Sequence, residues 1–242
     1  MGKAEITVIV LNYRRPENIG LIIDRLRKQS AAPRIWVVDN ADEAGNLLPV
    51  SVGIDGHATL RRNFGCFARW WFATQVETPF VAVHDDDLVL ADDEVLADAM
   101  RIQRDHAQNG IVGFFGWQAV PGRSYRGAKH INGATEDHVC DVIKGRFMVL
   151  QARLIARIWT GPPVSYPNTE IWRRCDDIYV SLAVSGGVLG RHMVPGILGK
   201  RWRELGRQDE RALASDPNHY DLRDLAVETM RAHYAQAMGP AA

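Results

Sequence analysis

Three cysteines in 242 residues, Cys66, Cys140 and Cys175, are odd in number and far apart. They form neither a disulfide framework nor a zinc-ligand pattern, and they favour a reducing compartment. No apolar run approaches the roughly 20 residues needed to cross a bilayer. The opening MGKAEITVIVLNY turns polar too soon for a signal peptide. A soluble, cytoplasmic protein is the expectation, with peripheral contact to a membrane left open. Neither sign of charge is in excess, since Lys+Arg and Asp+Glu are 29 each, so nothing global attracts nucleic acid or an anionic membrane. No G-x-G-x-x-G follows the first apolar run. Gly186-Gly187-Val188-Leu189-Gly190 follows a helical pattern instead, the wrong context for a dinucleotide fold. A P-loop, an H-E-x-x-H and a nucleophile elbow are likewise missing.

Hydrophobic residues make up 46% of the chain, ample for one large α/β domain. Ile6 to Leu11 are apolar at nearly every position, as in a strand buried on both faces. Pro16 suits a first helical turn, and Ile19, Ile22, Ile23 and Leu26 then make one apolar stripe. Ile35 to Val38 complete a βαβ unit, which implies parallel strands and a right-handed crossover. Further strands are expected at 57–60, 80–83, 111–115, 139–143, 147–150 and 188–194. Helices are expected at 66–75, from caps Asp92 and Asp93 to about 108, and at 152–159, 176–185 and 221–237. Residues 120–137, polar and glycine-rich, read as a mobile surface loop. No linker separates autonomous domains.

The stretch with most chemistry is PFVAVHDDDLVL, residues 79–90. A buried strand ends there in His84-Asp85-Asp86-Asp87, and apolar residues resume at once. Adjacent carboxylates in apolar surroundings repel one another, and a hard divalent cation relieves that repulsion. On extended chain Asp85 and Asp87 point to one side and Asp86 to the other. Open sheets bind ligands at strand carboxyl ends, where Asn12, Arg14 and Asp39 also fall. Arg14 suits a diphosphate. Arg174-Cys175-Asp176-Asp177-Ile178 is a second acidic focus, at a helix start where an Asp also serves as a cap. The basic connector 199–207, with Arg201 and Arg203, suits a lid closing over a diphosphate.

Together, VIVLNYRRPENIGLIIDRL, VVDNADE, VAVHDDDLVL and RCDDIYVSLAV resemble a GT-A-type nucleotide-sugar glycosyltransferase; the second half is most similar to the exostosin-like family. The resemblance spans roughly residues 5 to 200. It implies a Rossmann-related α/β/α sandwich with a mainly parallel central sheet. Residues 1–90 would be the nucleotide-sugar half, 91–205 the acceptor and catalytic half, and 206–242 a helical tail. It implies transfer of a hexose or N-acetylhexosamine from a UDP-sugar to an acceptor hydroxyl (on a glycan, a lipid-linked or a small molecule), with retention and Mn²⁺ or Mg²⁺. Asp87 and Asp85 would meet the metal, with His192 completing its shell, and Asp85 and Asp86 the donor. Asp39 would read uracil, Asn63 and Arg69 the nucleotide, while Asp177, with Asp176 beside it, would be the catalytic carboxylate. An inverting transferase with Asp177 as general base is the nearest alternative. A metal-dependent phosphohydrolase and an inactive nucleotide-sugar-binding module are alternatives from other classes. Asp177→Asn is expected to abolish transfer and leave the melting temperature nearly unchanged. The chain shows no long N-terminal anchor of the kind animal exostosin-like proteins carry.

Overall fold

The structure, a computed structural model, describes residues 3–40, 53–162, 168–206 and 215–238. The chain opens with β1 (Ile6–Asn12), α1 (Pro16–Arg27), β2 (Arg34–Asp39) and β3 (Gly56–Thr59). It continues through α2 (Ala68–Ala73), β4 (Phe80–Asp85), β5 (Leu88–Leu90) and α3 (Val95–His106). Then come β6 (Val112–Gly113), β7 (Phe115–Gln118), β8 (Lys129–Asn132), β9 (His138–Cys140), β10 (Val142–Ile143) and β11 (Phe147–Gln151). A 3₁₀ turn leads into α4 (Ile155–Ile158), α5 (Asn168–Arg174) and α6 (Asp176–Ser185). The last elements are β12 (His192–Val194), β13 (Trp202–Glu204) and α7 (His219–Met238). Among the described residues no helix is long and apolar enough to cross a membrane.

The main sheet has the order β3-β2-β1-β4-β11-β6-β12-β9. Strands β3, β2, β1 and β4 are all parallel to their neighbours, and β11 enters antiparallel beside β4. Alternation along β1 sends Ile9 and Leu11 into one apolar layer and Ile6, Val8 and Val10 into the other. Helix α1 seals the second layer with Ile19, Ile22, Ile23 and Leu26, the stripe expected from the sequence. Helix α6 belongs to the first layer and is buried all round, which accounts for its lack of a polar face. From β1 the chain builds outward through β2 and β3, then crosses back to pair β4 on the other side of β1. Such a reversal leaves a crevice at the strand carboxyl ends, here between Asn12 and Asp85.

Several expected elements differ in a common way. Residues 111–115 split at Phe114, so that β6 serves the main sheet while β7 pairs β8 and β10 in a three-stranded sheet. Residues 139–143 split likewise at Asp141, whose carboxylate accepts from the N–H groups of Gly190 and Ala119 at 2.8 Å each. The stretch 120–137 is not merely a surface loop: it contains β8, and Tyr125 within it is buried. Asp92 and Asp93 do not cap α3, whose N-cap is Glu94 without a side-chain capping bond. Helix α7 is more than a tail, because it packs on α5 and α6.

His192, expected as a completing metal ligand, is buried on β12, where its Nδ1 accepts the Ile111 N–H at 3.0 Å. Burial pulls its pKa down to about 4. The unfolded value is 6.5, so between the two the unfolded chain binds a proton that the folded chain refuses. Stability from the neutral ring is therefore complete above pH 6.5 and lost as the pH falls towards 4, about 3 kcal/mol in all. Urea unfolding of His192→Gln is expected to show a shallower loss of stability over that interval. An unchanged slope would remove His192 from the acid response.

Candidate active site

The crevice is built by the turn after β1, the turn after β4, the start of α6 and the connection between β10 and β11. Asn12 ends β1 with its side-chain amide on Asp39 Oδ1 at 2.7 Å. Arg14 sits at φ 61°, in the left-handed region that non-glycine residues rarely adopt. That backbone turn puts Arg15, rather than Arg14, into the cleft, and the Arg15 guanidinium meets Asp86 at 2.8 Å. Arg14 lies against the Tyr13 ring instead, 5.2 Å from its centre. The Tyr13 N–H donates to the other Asp86 oxygen.

The three carboxylates at the end of β4 take different partners, and Asp86 and Asp87 form a turn rather than extended chain. Asp86 goes to Arg15, Asp85 accepts from Arg69, and Asp87 Oδ1 accepts from Arg146 at 3.0 and 3.2 Å. Burial pushes Asp85 up to about 6, with the charge of Asp87 adding to it and Arg69 opposing. Burial likewise pushes Asp86 up to about 7, against the pull of the Tyr13 N–H and Arg15. His84 faces away from this cleft, and burial lowers its pKa to about 4, so it is neutral and outside the ligand set.

Arg69 joins the two acidic foci. Its guanidinium spans Asp85 and Asp176, reaching Asp176 Oδ2 from Nη2 at 2.9 Å and from Nε at 3.1 Å. Trp70 Nε1 adds a third donor to that oxygen at 2.8 Å. Asp177 points to the other partner, Arg223, which lies 46 residues later on α7. Arg223 also donates to the Tyr125 hydroxyl at 2.8 Å and lies over the Tyr125 ring at 4.5 Å. Tyr125 is in turn stacked on Trp117 with ring centres 4.8 Å apart. Neither aspartate is the cap expected at this helix start, since Cys175 holds the N-cap position without a side-chain bond.

The connection Lys144-Gly145-Arg146 touches both foci. Arg146 reaches Asp87, the Asp85 N–H donates to the Arg146 carbonyl at 3.0 Å, and the Gly145 N–H donates to Asp177 Oδ2 at 3.4 Å. Glycine is needed at 145 because a Cβ would stand 2.6 Å from Arg69 Nη2. The resulting cleft has a volume of about 340 Å³, within the range of small-ligand sites.

Asp85, Asp86, Asp87, Arg69, Asp176 and Asp177 from the sequence expectation all line this cleft. The others do not. Asp39 is fully buried, its carboxylate held by Asn12 and by His57 Nε2 at 2.6 Å, so it ties β1, β2 and β3 together. Asn63 Oδ1 accepts from the Gly65 N–H at 2.7 Å and shapes the turn before α2. Arg201 is held by Asp92 and Asp98, and the exposed Arg203 sits on β13 beside β5. The sequence reading missed Arg15, Lys144, Arg146 and Arg223, all of which line the cleft beside Tyr125. A signal existed for Lys144 and Arg146: they flank a glycine between two apolar strands, the same kind of position that singled out Asp85.

A cation has two oxygens to meet here. Among the described residues Asp85 Oδ2 and Asp87 Oδ2 accept no hydrogen bond, and no group of three His, Cys, Asp or Glu side chains able to hold a metal occurs. Two carboxylates suit a hard cation whose remaining positions are filled by phosphate oxygen and water.

No protein-family model and no curated protein matches the chain by sequence. Solved structures match it by fold. S. aureus TarS 1–349 in complex with UDP-GlcNAc aligns with a TM-score of 0.60 at 16% identity, over 95% of this chain and 69% of that one. The mannosyltransferase PcManGT from Pyrobaculum calidifontis, in complex with GDP-Man and Mn²⁺, aligns at 0.56 and 15% identity, over 100% and 66%. The α/β fold with a large, mainly parallel central sheet is thus shared with nucleotide-sugar-bound proteins.

Proposed function

We propose that the protein is a metal-dependent GT-A-type glycosyltransferase that moves a sugar from a UDP-sugar to an acceptor hydroxyl. One observation carries the reading: the acidic turn and the Asp176–Asp177 helix start converge on one crevice at the sheet's switch point. The shared fold supports it, since related structures hold UDP-GlcNAc, or GDP-Man with Mn²⁺. Asp85 and Asp87 would hold the cation, Mn²⁺ or Mg²⁺, which supplies charge neutralisation to a departing nucleoside diphosphate.

The chain's own groups divide the remaining work. Arg69 and Arg146 keep Asp85 and Asp87 aimed into the cleft, and Arg15 turns Asp86 away from them. Asp177, fixed by Arg223, presents a carboxylate to the sugar or to the acceptor hydroxyl. Retention and an N-acetylhexosamine donor follow from the exostosin-like resemblance; with inversion Asp177 is the general base that takes the acceptor proton. Cytoplasmic residence belongs to the same reading, in keeping with three free cysteines.

Proton and phosphorus NMR of mixtures containing UDP-GlcNAc, UDP-glucose or GDP-mannose, Mn²⁺ and a panel of sugar and lipid-linked hydroxyl acceptors tests it. The expected result is release of the nucleoside diphosphate, stopped by EDTA, with an α-linked product marking retention. Release of inorganic phosphate would indicate a phosphohydrolase. Binding of every donor without turnover would leave an inactive module.

A further inference from the structure

Five arginines, one lysine and five aspartates line the cleft. Each arginine is spent on a carboxylate: Arg15 on Asp86, Arg69 on Asp85 and Asp176, Arg146 on Asp87, Arg223 on Asp177, and Arg174 on Asp216. Lys144 is the exception. Among the described residues its only hydrogen bond goes to a neutral amide, Asn132 Oδ1, at 3.0 Å. It is half-buried, with Arg223 near enough to repel it. Taking an ammonium group partly out of water beside another cation costs free energy, and Lys144 offsets it with one hydrogen bond and the attraction of Asp177 but no ion pair among the described residues. Burial, with Arg223 adding to it and the charge of Asp177 opposing, brings its pKa down to about 8.

We propose that Lys144 grips the diphosphate of the donor, the missing counterion being a phosphoryl oxygen. Its place in the chain supports this. The turn that carries it is pinned on one side to Asp87 through Arg146 and on the other to Asp177 through the Gly145 N–H. Lys144 therefore lines the wall joining the two carboxylates offered to a cation and the carboxylate offered to the sugar. A diphosphate lying between them meets Lys144 on one flank, and the lysine adds a point charge where the cation alone would leave oxygen uncovered. The inference rests on the nucleotide-sugar reading and goes beyond it by assigning the contact.

Calorimetry at fixed Mn²⁺ with inorganic pyrophosphate, UDP, GDP and uridine tests the assignment on the whole chain. Lys144→Met is expected to weaken pyrophosphate and the matching nucleotide roughly ten- to a hundredfold, the range for a lost charge-assisted hydrogen bond. Lys144→Arg should recover most of that loss, and any binding of uridine should be unchanged. Lys144→Gln repeats the measurement with a polar side chain, and melting temperatures establish that each variant is folded. Wild-type affinity for pyrophosphate in the folded Met and Gln variants would overturn the assignment and leave the glycosyltransferase reading intact. If wild type bound none of pyrophosphate, UDP and GDP, that reading would fall and the assignment with it. A change in melting temperature alone would make Lys144 structural, which also overturns the proposal.

Discussion

Arg69→Met is expected to lower the melting temperature by about 10 °C or more and to abolish donor binding. The guanidinium is buried between Asp85 and Asp176. Burial alone would lower its pKa, but the two carboxylates outweigh that and hold it above the ordinary arginine value. Methionine fills similar space and leaves two buried carboxylates without their cation. Breaking a buried pair from one side costs about 3–5 kcal/mol, and each kcal/mol moves the midpoint of a chain this size by about 2–4 °C. Adding Asp176→Asn to Arg69→Met should return part of the stability, since one stranded charge is removed. A midpoint within a degree or two of wild type would show that solvent reaches these carboxylates and that Arg69 is not their counterion.

The second large effect is at Asp177. Asp177→Asn is expected to cut turnover by about a thousandfold or more, through loss of the carboxylate proposed to meet the sugar or the acceptor hydroxyl. It is also expected to cost about 2–4 kcal/mol of stability, because Arg223 is left buried opposite a neutral amide. The second half departs from the sequence expectation of a nearly unchanged midpoint. That expectation treats Asp177 as a catalytic carboxylate without a structural partner, a helix cap worth about 1 kcal/mol being the alternative. In the fold it is one end of a buried ion pair. Arg223→Met in the Asp177→Asn background separates the two roles: stability should return while turnover stays lost. Retained turnover in the single variant would remove Asp177 from the chemistry.

How much of this was legible follows from range. The first βαβ unit was readable because burial on both faces of β1 and on one face of α1 imposes patterns of period two and 3.6. Helix α6 was readable to its ends because an acidic start and the left-handed Gly186 bracket it. The turn at Asp85–Asp87 stood out because charge interrupts apolar sequence abruptly. Arg223 did not, since it sits among His219, Asp221 and Asp224, which look like an ordinary solvated helix face. The burial of Tyr125 did not show in its glycine-rich polar stretch, and comes with its stacking on Trp117. Arg201 misled for the opposite reason. A run of cations suggested a lid, but its partners Asp92 and Asp98 lie more than a hundred residues earlier in the chain. Local pattern identifies elements and their faces; which cation meets which carboxylate is decided by topology.

The pairing of Asp177 with Arg223 sets an order of events during synthesis. The ribosome delivers every carboxylate of the cleft before it delivers the guanidinium on the last helix. Until that helix is made, Asp177 lacks the guanidinium that pairs with it, so the cleft gains this ion pair only once α7 is in place. A chain cut short ahead of residue 223 would leave that carboxylate without its counterion.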